Sequence, residues 1–365
     1  MPLPRFLALS ASLALCACSG DPAPTPAPDA AATDAASDIT ASNDAAPADA
    51  SATDVSATDA SATDGSDASS MLRRCPTSGR GALSGDLCFN LTPAETGLSA
   101  SGANATEDQY ALRPMSGARG VLMLFLHGSG GTPRGVIASP DSNVYAAARA
   151  QGLHVLSIAY RSDDAVGALC NAAADRDACF LATRTAILTG VAQPGAAAPL
   201  ATIAVHEGVY ARVGAALLAL AERDPDGRWG QFYDLAAGRD VARGLRWSSI
   251  VVAGHSQGGG HAALLAKLHP VRRAVMFSSP CDLSSGAAAA WLTYGAAWAT
   301  PQSSLFGLGS MGDAVCPGHV PAWDALTMPT ANRDNGAVVC ATENAHAASI
   351  KCVENAPRWT ALFSP

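Results

Sequence analysis

Lysine is nearly missing from this chain, with two among 365 residues, and no cluster of basic residues of the kind that follows a phosphate backbone occurs. That argues against a nucleic-acid partner. Metal-ligand spacing is missing too. There is no Cys-x-x-Cys and no tight Cys/His grouping, so no metal site is expected. Aromatic residues are scarce at 5%. The apolar run at residues 6–17 is too short to span a bilayer as a stable helix. Lysine and arginine are wholly absent from residues 19–70, which hold ten Asp. Residues 71–365 carry 21 acidic and 22 basic residues, so the net charge of -8 belongs to a tether and not to a binding face.

What is present begins with a leader. Arg5 precedes the apolar run, which ends in Leu15-Cys16-Ala17-Cys18. This resembles a bacterial lipobox, and the resemblance implies that residues 1–18 are a lipoprotein-type signal with Cys18 as the acylated first residue of the mature chain. The alternative is an ordinary signal peptide and a released protein. The expected location is the outer membrane or cell surface through that lipid anchor, or else the periplasm or the medium. Residues 19–70 repeat Ser-Ala-Thr-Asp at positions 51, 56 and 61 and offer almost nothing large to bury. They read as a disordered spacer.

Eight cysteines remain beyond the leader: Cys75, Cys88, Cys170, Cys179, Cys281, Cys316, Cys340 and Cys352. An even number in an exported chain argues for disulfides, and they fall as four neighbouring pairs. Sequential pairing, Cys75–Cys88, Cys170–Cys179, Cys281–Cys316 and Cys340–Cys352, requires only short loops.

From residue 71 onward the pattern is that of one α/β domain. Short apolar runs at Val121–Leu126, Val155–Ala159, Ser249–Ala253, Ala274–Phe277 and Leu305–Leu308 suit buried strands of a mostly parallel sheet. Helical patterns lie between them at Asn143–Gln151, Val209–Glu222 and His261–Leu268, so helices flank the sheet. Residues 75–115 read as irregular or edge-strand structure, and residues 160–205 as an excursion from the sheet.

The third run leads directly into Gly254-His255-Ser256-Gln257-Gly258, of the form G-x-S-x-G between a strand and a helix. A chain that turns there in so little space lifts the Ser256 hydroxyl above the sheet and aims it at a helix start. A second loop, His127-Gly128-Ser129-Gly130-Gly131, follows an earlier strand. Together with Trp229-Gly230-Gln231-Phe232, the block Trp247–Ala262 and Val275–Asp282, these residues resemble the α/β-hydrolase superfamily, and within it a sparsely characterised group of exported Ser-Asp-His hydrolase-like proteins.

The resemblance implies an α/β-hydrolase fold and a nucleophile, an acid and a base in that chain order. Ser256 is the nucleophile. Asp313, beyond the strand Leu305–Leu308, is the expected acid, with Asp282, Asp324 and Asp334 as the other candidates. His346, read as lying in a loop between Cys340 and Cys352, is the expected base, with His319 the alternative. His127 and His261 are expected to be structural. The backbone N–H of Gln257 and that of Ser129 or Gly130 would form an oxyanion hole. The implied activity is hydrolysis of an ester-bearing small molecule or polymer with no cofactor. A peptidase or amidase using the same groups, and a non-catalytic surface binding protein, are the competing readings. Intact-mass measurement of the protein from its native membrane should find diacylglycerol on Cys18, and Cys18→Ser should release the protein from the membrane fraction.

Overall fold

Five predominantly apolar stretches supply the centre of one sheet, because strands covered on both faces have no polar side to alternate with. The protein is represented by a computed structural model that describes residues 73–74, 88–98, 102, 104–114, 117–137, 144–237 and 243–365. All of them lie in a single unit, residues 64–365. The leader with Cys18, the spacer 19–70 and Cys75 lie outside the described residues.

The strands are β1 (Arg73–Arg74), β2 (Cys88–Leu91), β3 (Gln109–Leu112), β4 (Leu122–Leu126), β5 (His154–Ser157), β6 (Ile250–His255), β7 (Arg273–Phe277), the hairpin strands β8 (Leu283–Ser284) and β9 (Ala287–Ala288), β10 (Leu305–Leu308) and β11 (Arg333–Asp334). The helices are α1 (Pro133–Ile137), α2 (Val144–Ala150), α3 (Val166–Leu169), α4 (Arg176–Thr189), α5 (Val209–Arg223), α6 (Gln257–Leu268), α7 (His319–Ala325), α8 (Ala345–Lys351) and α9 (Ala356–Phe363). Nine strands form one sheet in the order β1-β2-β3-β5-β4-β6-β7-β10-β11. Strands β1 to β3 and the β3–β5 pair are antiparallel, and every pair from β5 to β11 is parallel.

Alternation along each central strand divides the core in two. Leu122, Leu124, Leu126, Ile250, Val252, Ala274 and Met276 face one side, where α4, α5, α6 and α7 pack. Met123, Phe125, Val251, Ala253, Val275 and Phe277 face the other, covered by α2 and α9. The excursion between β5 and β6 holds α3 to α5, with Cys170 and Cys179 bonded within it. The edge expected from residues 75–115 is the antiparallel β2–β3 pair. Among the described residues no helix is long and apolar enough to cross a membrane.

The strand order reverses at β4. Chain entering from β4 crosses to β5 on one side, while β6 pairs on the other, and crevices in open α/β sheets form at such points above the strand C-termini. The register sets Leu126 beside Gly254, so the loop after β4 and the turn after β6 emerge together. Helix α6 then returns beneath them with no clearance. A Cβ on Gly258 would stand 2.0 Å from the Leu126 carbonyl oxygen, and one on Gly254 would stand 2.3 Å from the Gly258 carbonyl carbon. Both obstacles are main chain, which cannot rotate away. Gly258→Ala should therefore destabilise the domain by about 3 kcal/mol or more, at the upper end of overpacking costs, read as a fall in the urea midpoint at unchanged slope.

Candidate active site

Ser256 occupies the turn between β6 and α6 with φ 55° and ψ −121°. A residue with a Cβ holds such a backbone at a cost of about 1–3 kcal/mol. The neighbouring strand fixes it, since the Ser256 N–H donates to the Phe277 carbonyl at 3.0 Å. Gln257 is the first residue of α6, so its N–H belongs to the unpaired, positively polarised first turn. Strand order and elbow together decide the architecture. The chain has the α/β-hydrolase fold.

The loop after β4 corrects one expectation. The Gly130 N–H donates to the Ser162 carbonyl at 2.7 Å, so it is not available to a substrate oxygen. Ser129 keeps its amide without a partner among the described residues. Its hydroxyl donates to Gln257 Oε1 at 2.8 Å, and the Val166 N–H donates to the same oxygen at 3.0 Å. The Gln257 side chain thus ties the loop after β4 and the start of α3 to the elbow, a role that its backbone reading did not include.

Beneath this turn lies a buried ion pair that sequence reasoning missed. Arg184 of α4 donates from Nε and Nη2 to both Asp282 oxygens, at 2.7 and 2.5 Å, and from Nη1 to the Gln257 carbonyl at 2.9 Å. Trp291 Nε1 also donates to Asp282, at 2.9 Å. Both charged side chains are 2% exposed. Asp282 is therefore committed to Arg184 and is not the orienting acid. A Cβ on Gly260 would stand 2.4 Å from the guanidinium carbon, which explains the second glycine after the motif. Nothing in the sequence around Arg184, which sits between Thr183 and Thr185, marked this pair.

Asp313 and His346 meet at 2.8 Å through Oδ2 and Nδ1. A carboxylate accepts, so Nδ1 carries a proton, and in the neutral imidazole Nε2 is then the nitrogen with the lone pair. The other carboxylate oxygen accepts from the Val315 and Cys316 N–H groups, both at 3.0 Å. Burial alone would raise the Asp313 carboxyl. The His346 and Cys316 hydrogen bonds, with the nearby His346 and His319 rings, outweigh it and hold the carboxyl below its ordinary value. The Cys281–Cys316 bond fastens the turn that supplies the Cys316 donor.

The structure corrects the setting of His346. It lies on the first turn of α8, not in a loop, with Asn344 capping the helix through the Ala347 N–H at 2.9 Å. Cys340–Cys352 brackets this helix, and a loop of that length contributes roughly 3 kcal/mol in the chain-entropy model. The His346 carbonyl accepts from His255 Nε2 and from Ser278 Oγ, each at 2.9 Å.

The remaining candidates are engaged elsewhere. His319 contacts the Cys316 carbonyl and Asn335 Oδ1 through its two ring nitrogens, both at 2.7 Å. Asp324 pairs with Arg333, and Asp334 with Arg358. His127 stacks on Tyr160 at 4.5 Å, and burial pushes its imidazole down to about 4. His261 is buried edge-on to Tyr160, with its basicity lowered by burial and by the Arg184 charge. Cys88 is disulfide-bonded, and its expected partner Cys75 lies outside the described residues.

Ser256, Gln257, Ser129 and His346 line one cavity of about 570 Å³. Its walls are small and largely apolar: Val136, Ala165, Val166, Val315 and Ile350 contribute. Ser256 and His346 both line this space, and no hydrogen bond joins their side chains, as is common before substrate binds.

No family model matches the chain, and no curated protein matches it in sequence. Several solved structures are similar to it. TT1662 from Thermus thermophilus is 14% identical, with 73% of this chain and 96% of that chain covered and a TM-score of 0.39. An alpha-beta serine hydrolase homologue from Coxiella burnetii is 13% identical over 76% and 98% of the two chains, at a TM-score of 0.35. The thermostable carboxylesterase EstE1, cloned from a metagenomic library, is 13% identical over 77% and 90%, at 0.37. At these scores the fold assignment rests on the strand order and the elbow.

Because the folded-state Asp313 carboxyl is depressed, the stability it contributes is complete above the ordinary carboxylate range and is lost as pH falls through the folded value. The stability difference between the parent and Asp313→Asn should therefore shrink between about pH 5 and pH 3. Urea unfolding of both proteins across that range measures it.

Proposed function

We propose that this protein is a serine hydrolase that cleaves carboxylic esters through an acyl-enzyme on Ser256. The observation that carries the reading is the Asp313–His346 contact, which in the neutral imidazole leaves Nε2 as the basic nitrogen, on a residue that shares a cavity with a serine on a strained strand-to-helix turn.

His346 Nε2 takes the Ser256 proton as Oγ attacks the ester carbonyl carbon. The carbonyl oxygen becomes an oxyanion between the N–H groups of Gln257 and Ser129. The imidazolium, stabilised by Asp313, then protonates the leaving alkoxide as the C–O bond breaks. Water, deprotonated by the same nitrogen, attacks the acyl-enzyme. Collapse of the second oxyanion releases the acid and returns the proton to Ser256. The Arg184–Asp282 pair cancels its own charge under the elbow while holding the Gln257 carbonyl in place.

Export and lipid attachment at Cys18 belong to the same proposal. The three disulfides whose two cysteines are both described support maturation in an oxidising compartment, and the acidic spacer 19–70 would hold the domain away from the anchoring surface.

The parent should react stoichiometrically with a fluorophosphonate probe at Ser256 and hydrolyse short p-nitrophenyl esters. Ser256→Ala should lower kcat by about 10⁴-fold or more with an unchanged circular-dichroism spectrum. A turnover near the parent value in that variant would sink the proposal.

A further inference from the structure

We propose that His255, the residue before the nucleophile, is a positioning residue that holds the His346 imidazole at its working distance from Ser256 by gripping the His346 main chain. This rests on the assignment of Ser256, Asp313 and His346 as the reacting groups.

The need for such a grip follows from the length of α8. Seven residues are too few for a helix to hold itself in water, so its place must come from tertiary contacts. The Asp313 hydrogen bond fixes one ring nitrogen but leaves the imidazole free to pivot about that bond. Further restraint reaches His346 through its carbonyl oxygen. His255 Nε2 and Ser278 Oγ both donate to it at 2.9 Å, and Ser278 also shares a 2.9 Å hydrogen bond with Ser349 of α8. The two donors stand at the C-terminal ends of adjacent parallel strands, β6 and β7, where His255 pairs with Phe277. The base is thereby tied to the rigid sheet and not merely to its own short helix.

A carbonyl oxygen only accepts, so this contact requires the proton of His255 on Nε2. Burial lowers the imidazole to about 3, aided by the adjacent His346 ring, so His255 stays neutral and keeps that single proton. The two rings are 4.6 Å apart and tilted by 52°, which leaves His255 in van der Waals reach of the base it steadies. Because His255 is bonded directly to Ser256, one short covalent and hydrogen-bonded path, Ser256–His255–His346, sets the spacing of nucleophile and base. Displacing a reacting group by ~1 Å can cost about 10²-fold in rate.

The test compares His255→Leu, which removes the donor, with His255→Gln, whose amide nitrogen can reach the same carbonyl. Rates are normalised to the fraction of protein that takes the fluorophosphonate label on long exposure. The Leu variant should lose about 10- to 100-fold in kcat with KM within about twofold of the parent, and the Gln variant should recover most of the loss. Long-range ¹H–¹⁵N spectra of the parent should show His255 as the Nε2–H tautomer. A Leu variant with parental kcat, a Gln variant as slow as Leu, or an Nδ1–H tautomer would overturn the proposal. If the Leu variant does not fold, the tautomer of the parent still decides. A parent that takes no label removes the Ser256 assignment instead, and the tautomer is read independently of it.

Discussion

Between the Leu126 carbonyl and the first turn of α6 there is no space for a methyl group, and the architecture of the site follows from that contact. Glycine at 258 lets the helix come up against the end of β4, and glycine at 254 lets β6 turn into that helix without delay. The serine is left on the outside of the bend in a backbone region it would not choose. Its amide is pinned to Phe277, and the amide after it opens a helix. Move α6 outward by the width of a side chain and the loop after β4 loses its neighbour. Ser129 could then no longer reach Gln257.

The proposed acid and base, Asp313 and His346, are held by a different principle. They lie beyond β10 and on α8, where short elements and turns dominate, and each is restrained from more than one direction. Asp313 is surrounded by two amide donors on a turn bonded to Cys281. The segment bearing His346 is closed by Cys340–Cys352 and capped by Asn344. Under Ser256 the Arg184–Asp282 pair does similar work without a covalent bond, joining α4, α6 and the segment after β7. Removing one partner of such a pair leaves a buried charge uncompensated, a loss of about 3–5 kcal/mol, so these elements are coupled tightly to the elbow.

The sheet was legible in the sequence because central strands buried on both faces read as predominantly apolar runs without polar alternation. Leu305–Leu308 is found as expected, and the others agree to within about two residues at each end. The elbow was legible because its glycines, serine and flanking elements are local. Contacts across long sequence distances were not. Nothing near Gly130 announces that Ser162 takes its amide, and nothing near Asp282 announces Arg184, 98 residues earlier. The helix carrying His346 escaped notice because Ala345–Lys351 is short and has no apolar period, and packing and an Asn cap make it helical. His255 was invisible as a contact because its partner is main chain, which looks the same in every residue.

Each bonded cysteine whose partner is described joins the next cysteine along the chain: 170 to 179, 281 to 316, 340 to 352. A chain threaded from its amino end into an oxidising compartment would present these thiols in pairing order. An oxidant that joins each newcomer to the last unpaired thiol would then write the native map at once, with no wrong bond to undo by slow exchange. The same order of arrival delays chemistry. The serine and its elbow would emerge well before the segment carrying Asp313 and His346, so under the proposed triad the chemistry would wait for the final staple.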